Sequence, residues 1–80
     1  MPRMQNTPQT PEAALSLAGT TWAIGDDIRV ITRVENATFS EWDGKTVFAD
    51  IYWSKPGGKE RAKPTELTRF RTWLNKAKQL

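Results

Sequence analysis

The chain has 80 residues, a formal net charge of +3, 26% charged and 10% aromatic residues, and neither cysteine nor histidine. That composition excludes disulfide staples, thiolate chemistry, zinc sites of the Cys/His type and histidine-based acid–base catalysis. A chain near this size buries only roughly 60% of its unfolded surface, so one domain is expected and its large rings must supply much of the core.

Residues 1–20 are expected to form a flexible N-terminal tail. The first nine hold Pro2 and Pro8 among polar neighbours with little to bury. "TPEAALSLAG" then has the punctuation of a two-turn helix over 11–18: Thr10 to cap, Pro11 at the first position, Glu12 toward the dipole and Gly19 to stop it. Such a short helix is marginal unless it docks, through Leu15 and Leu17. Residues 21–80 are read as a single domain. Gly25-Asp26 is a turn, and Ile28 to Val34 a strand with Val30, Thr32 and Val34 on one face and Arg29, Ile31 and Arg33 on the other. Phe39 and Trp42 mark a short strand or packed loop, and Asp43-Gly44 a two-residue hairpin turn. "KTVFADIYW" is the clearest strand, with Val47, Ala49, Ile51 and Trp53 toward the core. "SKPGGK" reverses the chain, and "ERAK" is expected as a basic edge strand. Pro64-Thr65 opens a last helix with Thr65 as its cap; Leu67, Phe70, Trp73, Leu74 and Ala77 form its apolar stripe. Arg69 and Lys76 lie on one flank of that stripe, Arg71 and Lys78 on the other.

These elements predict a mainly β fold with a terminal helix: a small SH3-like barrel of four to five antiparallel strands, closed by a C-terminal amphipathic α-helix. In "VFADIYWSKPGGKERAKPTEL", an aromatic pair at Tyr52-Trp53 ends a strand and Gly57-Gly58 forms a turn. A basic return at Lys59-Glu60-Arg61 and a closing Glu66-Leu67 follow. In these places the chain resembles the YodC-like family of small bacterial proteins, and "IGDDIRV" is similar to the barrel-opening Gly-Asp-x-Val of that group and of Tudor-like and KOW-like barrels. The resemblance runs over about residues 24–67 and implies a fold without an activity.

No constellation in the chain supports catalysis. The carboxylates Asp26, Asp27, Glu35, Glu41, Asp43 and Asp50 are dispersed. Asp26 and Asp43 suit turns, and Asp50 suits a cross-strand pair with Arg29 or Arg33. A non-enzymatic module without catalytic residues, metal or cofactor is expected. Its location is expected to be cytoplasmic, since no apolar run is long enough for a signal peptide or a membrane span.

Charge is the stronger functional signal. Residues 1–54 hold four basic and seven acidic groups, whereas residues 55–80 hold eight basic and two acidic ones. Lys55, Lys59, Arg61, Lys63, Arg69 and Lys76 are therefore candidates for a strip that contacts the phosphates of DNA or RNA, with Tyr52 as a stacking platform for an unpaired base. The plainer alternative is a solvated basic face, since cations near a helix C-terminus are stabilised by its dipole without any partner. A third reading is a protein-interaction module. Trp22 or Trp42, with Phe39, would form an exposed apolar patch for self-association, or the basic side would meet an acidic protein.

Overall fold

Pairing of β-branched and aromatic strands around two tight turns organises the molecule. In the computed structural model, which describes residues 6–80, these elements are helix α1 (Pro11–Leu15), strands β1 (Thr21–Ile24), β2 (Asp27–Phe39), β3 (Val47–Ser54) and β4 (Thr65–Glu66), helix α2 (Leu67–Leu74) and strand β5 (Lys78–Gln79). The expectation of a mainly β fold holds. All five strands join one antiparallel sheet in the order β4-β3-β2-β1-β5, and α2 links one edge strand to the other.

The turns at Gly25 and Gly57 follow their chemistry. Ile24 pairs with Asp27 across the two residues Gly25-Asp26, and Gly25 has φ 57°, a value that suits glycine in the first central position of a hairpin turn. Pro56 precedes Gly57 at φ 73°, and the Gly58 N–H donates to the Lys55 carbonyl at 2.9 Å, as in a type II turn.

Strand β2 departs from simple alternation. Ile31 opposes Trp53 and Arg33 opposes Tyr52, so Thr32 is an extra residue, a bulge that reverses which face the later residues point to. Arg29, Ile31 and Val34 consequently share the inner face, where the sequence pattern placed Val34 opposite Arg29 and Ile31; Ile31 and Val34 are both buried. A second shift lies between Glu35 and Thr38, where Asn36 takes φ 56° and its amide donates to Asp50 at 2.7 Å.

Other boundaries also differ from expectation. Asp43-Gly44 is not a two-residue hairpin turn: β2 and β3 are joined by residues 40–46, and the Asp43 carboxylate organises that loop by accepting from the N–H groups of Lys45 and Thr46. "ERAK" forms no strand; its tie to β3 is the Arg61 N–H to the Trp53 carbonyl at 3.1 Å, and the pairing instead falls to Thr65 and Glu66. Thr65 is accordingly in a strand, and the N-cap of α2 is Glu66, whose side chain makes no capping bond. The helix stops at Leu74, so that Lys78 pairs with Ala23 of β1 rather than flanking a helix.

The core is the inner sheet face covered by the two helices. Val47, Ala49, Ile51 and Trp53 of β3 all point into it, as alternation predicts, and meet Leu67, Phe70, Leu74 and Ala77 from the C-terminal segment. Thr10 caps α1 by accepting from the Ala13 N–H. Ala14 and Leu17 dock this segment, whereas Leu15 is exposed, because a single helical turn cannot aim Leu15 and Leu17 at one surface. Within the tail reading, residues 1–5 lie outside the described residues. Asn6 is fastened to the end of α2, its amide donating to the carbonyls of Leu74 and Ala77 at 2.8 and 3.0 Å.

Candidate nucleic-acid interface

Arg29 shares the inner face of β2 with the buried Ile31, and there it meets the aromatic residues of β3 and α2. Its guanidinium carbon is 4.3 Å from the ring centres of both Trp53 and Trp73, and 5.9 Å from that of Phe70. Phe70 lies tilted against both indoles, with ring centres 6.3 Å from Trp53 and 5.7 Å from Trp73. A planar, weakly hydrated cation tolerates such an enclosure better than an ammonium would. Its Nε–H is buried with no hydrogen-bond acceptor among the described residues.

Asp27, two residues earlier on the same strand face, ties this stack to the solvent. It accepts from Lys55 Nζ at 2.7 Å, from Trp73 Nε1 at 2.9 Å and from Arg29 Nη2 at 3.3 Å. These donors, Lys55 foremost and then Trp73, hold its pKa down at about 2, so the group stays ionised throughout the physiological range. The bond from Asp27 also fixes the orientation of the Trp73 indole.

The six candidate cations divide in an informative way. Arg69 and Lys76 stand seven residues apart on one side of the C-terminal segment and, with Ile24, Asp27, Thr72 and Trp73, line an open groove of about 540 Å³. Lys55 reaches the Asp27 that lines the same groove, and the Arg61 guanidinium sits 4.6 Å from the Trp53 ring centre. Lys59, by contrast, is exposed on the loop after the Pro56-Gly57 turn and makes no ion pair among the described residues; the same is true of the sixth, Lys63. Tyr52 alternates with Trp53 and so faces the other side of the sheet, where the Arg33 guanidinium covers its ring at 3.8 Å. Glu60 completes that face by bonding Thr32 and Arg33; Thr32 and then Arg33 lower its pKa.

Asp27, Arg29 and Trp73 were thus missing from the site as read in sequence. Alternation grouped Arg29 with Ile31, but a face shared with the buried Val34 required knowledge of the bulge. Trp73 sits in the apolar stripe of α2 and looks like core, yet it is only half-buried and lines the groove. A separate hollow of about 300 Å³ at the other end of the β2–β3 hairpin is lined by Thr38, Phe39, Glu41, Trp42 and Phe48. Trp42 is 95% exposed there, while Trp22 is buried, which decides between the two apolar-patch candidates.

Among the described residues no three His, Cys, Asp or Glu side chains gather as metal ligands, and no helix is long and apolar enough to cross a membrane. No protein-family model matches the chain, and neither does any curated protein or solved structure.

Proposed function

We propose that this chain is a non-enzymatic binding module that engages nucleic acid through the basic strip of residues 55–78, carried on a small SH3-like barrel. One observation carries the functional reading. Arg69 and Lys76 flank a single groove, Lys55 is bonded to Asp27, the groove's own carboxylate, and Arg61 lies against Trp53. Phosphate binding needs cations clustered on one surface, and an excess of positive charge at a concave site draws an anionic polymer. Lys59 and Lys63, exposed between β3 and β4, are the remaining members of the proposed strip.

The barrel reading draws support from β2. That strand pairs with β1 through its first residues and with β3 through the rest, and it carries two register shifts. Bulges of this kind are how long strands bend to serve both sides of a curved sheet. The connection of the two edge strands through α2 is consistent with closure.

A second reading, a protein-interaction module, rests on Trp42. A nearly fully exposed tryptophan beside Phe39 and Phe48 is an unusual surface and a recurrent type of interface anchor. Paired variants discriminate the two. Arg69→Glu with Lys76→Glu is expected to abolish oligonucleotide binding in fluorescence anisotropy while Trp42→Ala leaves it intact. If the double charge reversal binds as the parent does, the nucleic-acid assignment fails.

A further inference from the structure

We infer that the Arg69–Lys76 groove is a base-accepting site, so that the nucleic acid recognised is single-stranded, with one unpaired base laid against Trp73 and the flanking phosphates on Arg69 and Lys76. The inference rests on the nucleic-acid reading above and narrows it.

Three observations lead to it. First, the groove is not merely cationic. Ile24 and Trp73 give it an apolar wall, and its volume of about 540 Å³, though open to solvent, has room for a ring-sized group. Second, Trp73 is already held as a platform. Arg29 and Phe70 pack against its ring, and Asp27 fixes its Nε1–H at 2.9 Å. Trp73 remains partly accessible and lines the groove, so a base that enters meets a ring whose position is already set by its neighbours. Third, the cations are peripheral. Arg69 and Lys76 are exposed, and with Thr72 and Trp73 they stand at i, i+3, i+4 and i+7, so one side of the C-terminal segment presents both charges around the ring.

A duplex fits this arrangement poorly. Its phosphates could reach the cations, but its bases are already stacked on one another and cannot enter the groove without unpairing. Single strands offer each base a free face, and stacking on an aromatic side chain is tolerant of sequence. Asp27 works in the same sense. It is ionised and lies in the groove wall, so it repels a phosphate placed deep in the groove and leaves the rim cations as the favourable positions for the backbone. The groove also differs from the site expected at Tyr52, whose ring is covered by Arg33 on the opposite sheet face.

The test is equilibrium anisotropy with labelled single-stranded DNA, single-stranded RNA and a duplex of the same length, at two salt concentrations. Parent protein is compared with Trp73→Leu and Thr72→Leu. Trp73 also covers Arg29, so the second variant is essential: Thr72 is an exposed lining residue, and leucine there narrows the groove without disturbing the core. The expected result is about tenfold tighter binding of single strands than of duplex, with quenching of tryptophan emission. Both variants are expected to bind single strands only as weakly as duplex. A preference for DNA or for RNA within that pattern supports the groove and names the source of the ligand. Equal affinity for duplex and single strand, or a single-strand preference that survives Thr72→Leu in a folded protein, overturns the base site while leaving phosphate binding in place. Absence of binding to all three probes at low salt overturns the wider nucleic-acid reading and this one with it.

Discussion

Arg29 shows how one side chain can serve structure and site together. Enclosed by Trp53, Trp73 and Phe70, it replaces the hydration it loses with ring faces and with one bond to Asp27. A desolvated cation–π contact contributes about 2 kcal/mol, so Arg29→Ala is expected to lower unfolding stability by about 2 kcal/mol in urea titration. Arg29→Lys is expected to recover less than half of that, because an ammonium cannot stack as a planar guanidinium does. A value for Arg29→Ala within 0.5 kcal/mol of the parent, roughly the scatter of ordinary surface substitutions, contradicts this account. Asp27 and Asp43 set the acid response. Donors from Lys55, Trp73 and Arg29 depress Asp27 to about 2, and the Thr46 and Lys45 N–H groups depress Asp43 to about 2. Their folded pKa values lie below the unfolded value of about 3.9, so the stability they contribute is complete above pH 4 and is lost as pH falls toward 2. The melting temperature should therefore hold between pH 7 and 5 and drop below pH 4. Asp43→Asn, which keeps one acceptor oxygen in the loop, is expected to reduce that drop; an unchanged acid profile in the variant contradicts the assignment.

At the level of elements, the C-terminal end of α2 depends on the residues just before α1. The Asn6 amide satisfies the carbonyls of Leu74 and Ala77, and Asn75 Oδ1 accepts from Asn6 N–H, Thr7 N–H and the Thr7 hydroxyl. Such long-range capping takes the place of a terminal glycine. Asn6→Ala is expected to cost about 1 kcal/mol and to speed amide exchange over residues 75–80, and no change in exchange there argues against the clasp. This contact was invisible in the sequence, where Asn6 is a polar residue in a proline-flanked stretch. Legible elements were those governed by local chemistry. Alternation in β3, the Gly25 and Gly57 turns, the Thr10 cap and the stripe of Leu67, Phe70, Leu74 and Ala77 each follow from neighbouring residues. Several of the failures share one cause, which is competition from long-range pairing. Thr32 is bulged because Ile31 and Arg33 must meet Trp53 and Tyr52, and alternation alone cannot show that. Thr65 was drawn from its cap position into pairing with Ile51, and Lys78 from the helix into pairing with Ala23. Arg69 and Lys76 were grouped correctly because helical spacing is local, whereas their union with Asp27 and Lys55 depends on the sheet.

Across the whole molecule, the basic excess of residues 55–80 does not spread evenly. Part of it is drawn into the stack, where Lys55 meets Asp27 and Arg61 meets Trp53; part remains exposed at Arg69 and Lys76 around the groove. Trp42 and its hollow lie in the 40–46 loop and its flanks, whose charged residues include Glu41 and Asp43, so the two unusual surfaces differ in charge as well as in place. That separation makes the two proposed readings separable by mutation, and it directs the most direct measurement to the groove. The logarithm of the association constant for a single-stranded oligonucleotide should fall linearly with the logarithm of salt concentration, each neutralised phosphate contributing about 0.7 to the slope. For Arg69→Gln with Lys76→Gln, the account predicts a slope shallower by about 1.4, with the fold unchanged by circular dichroism. Binding whose salt slope is the same in the parent and the double variant would contradict the claim that this groove is where the phosphates sit.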